Sequence, residues 1–180
     1  MLVRTELRLG NRTYGAIAGV NSLLVSPAGD ASRDATSTAG GAAAPSLPER
    51  VVIVVDETLP QGLAANAAAV VSFTLGAQLP ALRGPDAVDA DGGVHPGFIA
   101  IGVPILRATA DALAALHAGA RAAGLGVVAL PVCGHQTNDY DEFRAHVART
   151  SAAELRFLAV AVHGPRRRVG RLTGSFGLLR

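Results

Sequence analysis

Val51-Val52-Ile53-Val54-Val55, running into Asp56-Glu57-Thr58-Leu59-Pro60, is the stretch on which the fold turns. Five consecutive β-branched residues with no polar alternation are the pattern of a strand buried on both faces. Such a strand needs a covering layer on each side, which makes it a central strand of the sheet. After it, Thr58 is placed to cap a helix with Pro60 near the first turn, and apolar residues continue to about Leu75 before Gly76. The order is strand, short loop, helix.

The same alternation continues outward from that unit. Ala87-Val88-Asp89-Ala90 and Val94-His95 flank Asp91-Gly92-Gly93, whose glycines permit a tight hairpin. Phe98 to Leu106 is apolar and β-rich, with Gly102 and Pro104 marking a bend or an edge position. Thr109 opens a helix to about Ala123, closed by Gly124. Gly126 to Leu130 supplies another strand, Asn138 or Asp139 caps a helix through about Ala148, and Phe157 to Val162 is the last strong strand. Strands alternating with helices predict an α/β domain: a three-layer α/β/α sandwich around a mixed, mostly parallel sheet, with ligands where strand ends meet helix starts.

Composition agrees with one such domain over residues 50–180. Hydrophobic residues make up 49% of the 180-residue chain but aromatic residues only 4%, so the core must be built from small side chains packed closely between layers. Arginine supplies all the Lys+Arg count of 16, yet the net charge is only +2, a weak electrostatic case for nucleic acid. Cys133 is the single cysteine. This excludes an internal disulfide and a cysteine-based zinc site, and it fits a reducing compartment, so the cytoplasm is the expected location. No apolar run is long enough for a membrane-spanning helix, and no membrane partner is expected.

Residues 26–49 are mostly Ala, Gly, Ser, Thr, Pro and Asp and are expected to form a flexible linker. Residues 1–25 are expected to be an appendage. Val3 to Leu9 alternates apolar and polar residues as an edge strand or hairpin would, and an overlong reading frame is the alternative. The apolar run from Ala16 to Val25 follows Arg4, Glu6, Arg8 and Arg12 and matches a signal peptide poorly.

Several residues are candidates for chemistry. Asp56 and Glu57 end the central strand, where a carboxylate either faces a ligand crevice or favours the start of the next helix by roughly 0.3 to 1 kcal/mol. Asn66 sits among alanines, where a buried amide needs partners and so points to a site or a polar network. Cys133, His135 and Thr137 alternate after a strand, so an extended backbone would turn all three to one side. The readings are a possible pocket with a thiol and a base, or simple packing of the cysteine. His163, ending the last strand, is a further pocket candidate. Arg166, Arg167, Arg168 and Arg171 surround a helix start after Gly164-Pro165, where an anion or a solvated basic face are the two readings. His95, His117 and His146 are assigned to surface or packing roles. No close spacing of metal ligands appears, and neither a metal nor a cofactor is expected.

The closing segment Ala161-Val162-His163-Gly164-Pro165, then three arginines, Val169, Leu172-Thr173-Gly174 and Leu178-Leu179, resembles the peptidyl-tRNA hydrolase II superfamily. Those proteins end the last strand in Gly-Pro and reach a terminal strand through a Val-Thr-Gly step. Leu63-Ala64-Ala65-Asn66-Ala67 is similar to their Ala-Ala-Gln step. The closer likeness, over roughly 50–180, is to an uncharacterised bacterial branch of that superfamily, a domain of unknown function, through Asp56-Glu57-Thr58-Leu59-Pro60 and Gly62-Leu63-Ala64-Ala65-Asn66. The resemblance implies a three-layer sandwich with about four main strands. It also exposes a departure. The hydrolases carry a lysine before the Ala-Ala-Gln step, where this chain has Gln61-Gly62-Leu63 and no lysine anywhere. Their Asp-Ala-Gly-x-Thr segment aligns with Val132-Cys133-Gly134 and Gln136-Thr137, leaving an apolar residue at the aspartate position.

Peptidyl-tRNA hydrolysis is therefore not expected. The expected function is binding of a small anionic or acylated ligand at the strand ends, with RNA as another possible partner and a homodimer compatible with the chain. The alternative is a divergent hydrolase or transferase for an acylated or phosphorylated substrate or RNA, with Asp56, Asn66 and Thr137 as candidate catalytic residues and the arginines holding the anion.

Overall fold

The β-branched run forms strand β3, Arg50–Asp56, in which every residue after Arg50 is buried. In this computed structural model the described residues are 47–137 and 139–180, together with two short strands, β1 (Arg8–Leu9) and β2 (Arg12–Thr13). Two units separate along the chain, residues 1–41 and 42–180. In the first, β1 and β2 pair antiparallel. The rest of the expected N-terminal hairpin, and the expected linker apart from residues 47–49, lie outside the described residues.

In the second unit, β3 is followed by α1 (Gln61–Gln78), the hairpin β4 (Ala87–Val88) and β5 (Val94–His95), β6 (Ile105–Ala108) and α2 (Ala110–Ala122). Next come β7 (Gly126–Pro131), α3 (Tyr140–Arg149), β8 (Phe157–Gly164), α4 (Arg166–Thr173) and β9 (Gly177–Leu178). The main sheet has the order β7-β8-β3-β6-β9, with β3 in the centre. Period-two alternation along β3 sorts its side chains. Val51, Ile53 and Val55 pack against Ala64, Ala67, Ala68, Val71 and Leu75 of α1. Val52 and Val54 pack on the other face with Leu113, Leu116 and Ala120 of α2 and Val169 of α4. Alanines on the inner stripe of α1 let the helix lie close to the sheet, as the small-residue composition requires.

The sheet is mixed, but the expectation that it is mostly parallel is corrected. Only β3 and β6 pair parallel, whereas β3–β8, β7–β8 and β6–β9 are antiparallel. Alternation of strand and helix does not fix direction, and the long connection between β7 and β8 returns the chain antiparallel, wedging β8 between β7 and β3. Two local expectations also change. Thr58 does not cap α1: its backbone N–H and hydroxyl both donate to Asp56 Oδ1, at 2.9 and 2.8 Å, and Pro60 occupies the cap position. Of the Phe98–Leu106 run only Ile105 and Leu106 lie in a named strand, because Pro104 has no N–H to donate; its carbonyl instead accepts from Ile53 N. Thr109 and Asp139 do cap α2 and α3. No helix among the described residues is long and apolar enough to cross a membrane.

Candidate functional site

The parallel pair β3 and β6 places two strand ends side by side, with Asp56 in register with Ala108. From these ends the chain departs to opposite faces of the sheet, into α1 on one side and α2 on the other. Adjacent parallel strands with oppositely directed connections leave a crevice beyond their carboxyl ends, the place where open α/β sheets bind ligands. Here that crevice is a cleft of about 410 Å³ lined by Glu57, Arg107, Ala108, Thr109, Ala112 and residues 175–177.

Its parts are held by the strand ends. Glu57 N donates to the Ala108 carbonyl at 2.9 Å, fastening the loop after β3 to the end of β6. The Thr109 hydroxyl accepts from Ala112 N at 3.3 Å, which caps α2 at the cleft wall. Arg107 is exposed and appears in no ion pair among the described residues. Opposite it in register is Gly177, which presents no side chain to the guanidinium. Asp56 is buried at the end of β3, with Oδ1 engaged by Thr58.

The other candidate residues do not gather at this crevice. Asn66 is exposed on α1. Its reading as a buried amide is corrected, because the inward stripe of Ala64, Ala67, Ala68 and Val71 turns residue 66 outward. Residues 132–135 form a 3-10 turn, so the extended alternation expected for Cys133, His135 and Thr137 is broken. Cys133 is buried beside a small cleft of about 140 Å³ shared with His146 and Thr150. His135 is exposed. Thr137 donates its hydroxyl hydrogen bond to Glu142 and lines a separate cleft of about 390 Å³ between α1, β7 and α3. This group follows β7, at the same end of the sheet as Asp56 but about 10 Å to the side, with β8 between.

His163 is at the opposite end. It pairs with Val51, five residues back along β3 from Asp56, or about 17 Å away. The expectation that it shares a pocket with Cys133 and His135 is corrected: β8 runs antiparallel to β3 and β7, so its last residues lie where those strands begin, whereas Cys133 and His135 follow the end of β7. The half-buried imidazole lies over Gly126, and desolvation lowers its pKa below the ordinary histidine value. Arg166, Arg167, Arg168 and Arg171 start from the same remote end. There the Glu49 carboxylate already accepts from Arg166 N at 2.9 Å, and Arg168 donates to the Ala123 carbonyl. The helix start that would have held an external anion is met by the chain's own carboxylate.

Residues 49–180 match the family described as "Protein of unknown function (DUF2000)". The chain belongs to the DUF2000 family. Among solved structures, the domain is similar to a protein of unknown function from Agrobacterium tumefaciens, at 15% identity and a TM-score of 0.68, over 73% of this chain and 97% of that one. At that identity the likeness shows the fold alone. No curated protein matches. The DUF2000 match begins at Glu49, the residue that closes the start of α4.

The sequence singled out Asp56 and Glu57 as residues at a strand end but passed over Arg107 and Ser175. A signal for Arg107 was present: it is the charged residue between the apolar run ending at Leu106 and the helix cap Thr109, mirroring Asp56-Glu57 before α1. Ser175 carried no such signal. It reaches the crevice only because β9 adds to the edge of β6.

Proposed function

We propose that this DUF2000 domain uses a peptidyl-tRNA hydrolase II-like three-layer scaffold to bind a small anionic or acylated molecule in the crevice at the carboxyl ends of β3 and β6. The observation that carries the reading is Arg107: a guanidinium without an ion-pair partner among the described residues, at a wall of a cleft set where the chain leaves for opposite faces. A guanidinium presents a planar set of donors suited to carboxylate or phosphate. The Thr109 hydroxyl and Ser175 add neutral polar contacts, and Glu57 opposes a second negative charge, favouring a singly charged ligand or one with a cationic end.

In this reading residues 50–180 carry the function in the cytoplasm, with 1–25 an appendage and 26–49 a linker. Asp56 helps shape the crevice through its turn with Thr58. With no lysine in the chain and Val132 where the peptidyl-tRNA hydrolases carry their aspartate, peptidyl-tRNA is not turned over in this reading.

The test is an amide NMR titration with inorganic phosphate, acetate and acetyl phosphate, repeated with Arg107→Ala. Resonances of residues 107–109 and 175–177 should shift, and the Arg107→Ala protein should bind about 10- to 100-fold more weakly, the range for a lost charged hydrogen bond. Shifts confined to the α4 end, or equal affinity without Arg107, would remove the proposal. Release of peptide from peptidyl-tRNA above background would favour the hydrolase alternative.

A further inference from the structure

Helix α1 contains no charged residue in its 18 positions, although only five of them are buried. Gly62, Ala65, Asn66, Ala69, Phe73 and Ala77 form an outward stripe at helical spacing, and Phe73 is 85% exposed. The contrast with α3 is informative. That helix also faces solvent, with no buried residue, and carries Asp141, Glu142, Arg144, His146 and Arg149 in ten positions. A surface helix ordinarily carries charged and polar residues on the face opposite the core, whereas the outward face of α1 carries the exposed Phe73 among small uncharged residues.

Alongside α1 runs a largely apolar groove of about 440 Å³ lined by Leu75, Leu79, Leu82, Phe98, Ile99 and Val103, with Arg83, ion-paired to Asp86, at its wall; Phe98 is 88% and Ile99 55% exposed. An exposed aromatic knob therefore lies one helix ridge away from a hole. This combination is self-complementary under a two-fold axis: Phe73 of one copy can enter the groove of a second while the second copy's Phe73 enters the first. The neutral stripe brings no like charges together across such an axis, and its small residues let the two helices approach closely.

We infer that the outward face of α1 and its flanking groove form the contact between two copies of this chain. The area is consistent with that occupant. Phe73, Phe98, Ile99 and Val70 together offer on the order of 500 Å² of exposed apolar surface per copy. The remaining stripe extends this toward the roughly 800 Å² per partner of a stable interface. The groove borders the Leu75–Leu82 end of α1 and shares no lining residue with the cleft at β3 and β6.

The experiment is sedimentation velocity with the full chain from roughly 1 to 100 µM, a span that covers micromolar association. The expected mass is twice 18.2 kDa. Phe73→Asp and, separately, Phe98→Asp should raise the dissociation constant about thirty-fold or more, the effect of losing an interface hot spot. Both side chains are exposed in the monomer, so circular dichroism and the melting temperature of a dissociated variant should show an intact fold. A wild-type chain that stays at 18.2 kDa throughout overturns the inference, whatever else covers the face. So does a dimer that survives both substitutions.

Discussion

Replacing Glu49 with alanine tests how the start of α4 is held. The helix begins after Pro165 with no side-chain cap of its own and no acidic residue in its first turn, while four of its eight residues are arginines. Its start is served instead across 117 positions of sequence by the Glu49 carboxylate, which accepts from Arg166 N at 2.9 Å. Losing a capping acceptor costs about 1 kcal/mol. The charge contribution at a helix start, about 0.3 to 1 kcal/mol, is not fully additive to this, because the site is exposed and screened. A loss of about 1 kcal/mol is therefore expected for Glu49→Ala in urea denaturation at low salt, equivalent to a fall of roughly 2 to 8 °C in melting temperature. Glu49→Gln keeps an acceptor oxygen without the charge and should lose about half as much. Raising salt to about 1 M shortens the screening length to roughly 3 Å and should narrow the gap between Glu49→Gln and wild type. The alanine variant also frees backbone N–H groups beside the arginines, so inorganic phosphate should stabilise it more than wild type. If Glu49→Ala is as stable as wild type at low salt, the carboxylate does not hold α4.

Histidine titration should appear in stability. His163 and His117 both have pKa values lowered chiefly by desolvation, with Arg121 adding to the effect at His117. Below the ordinary value of about 6.5 the unfolded chain takes up protons that the fold refuses, so stability should fall as pH drops from about 6.5 toward the lowered values and stay flat with respect to these groups above it. Stability curves at pH 7.5 and 5.5 check this, and equal stability would refute it. A Cβ at position 126 would overlap the His163 ring. Gly126→Ala should therefore drive the imidazole into solvent and move its NMR titration midpoint up toward the ordinary value; an unchanged midpoint would refute that packing. Thr109→Ala should cost about 1 kcal/mol through the lost α2 cap, with Thr109→Ser close to wild type in the same urea assay.

The local order of the domain was legible because it rests on local rules. Val51 to Val55 has no polar alternation, and five β-branched residues in so short a run mark it as a strand covered on both faces. Thr109 and Asp139 stand where helix starts need acceptors, and Gly124 supplies the positive φ of 62° that ends the α2 turn. Asn66 misled because a run of alanines carries little contrast between faces: without large apolar residues on one side, the inward stripe cannot be told from the outward one. The turn at residues 132–135 misled because alternating residue types do not show whether the backbone is extended.

What the sequence alone determined is the kind of domain: an α/β domain with a covered sheet and a small-residue core, because burial periodicity and caps act within a few residues of one another. Strand direction and neighbourhood were decided only by tertiary structure. Placing β8 antiparallel beside β3 sends His163 and the arginines to the far end from Asp56, and pairing β3 with β6 brings Glu57 and Arg107 to one crevice. The carboxylate that closes α4 is likewise 117 residues from the N–H it accepts from. Such contacts depend on how the chain returns across the sheet, and no local pattern records that path.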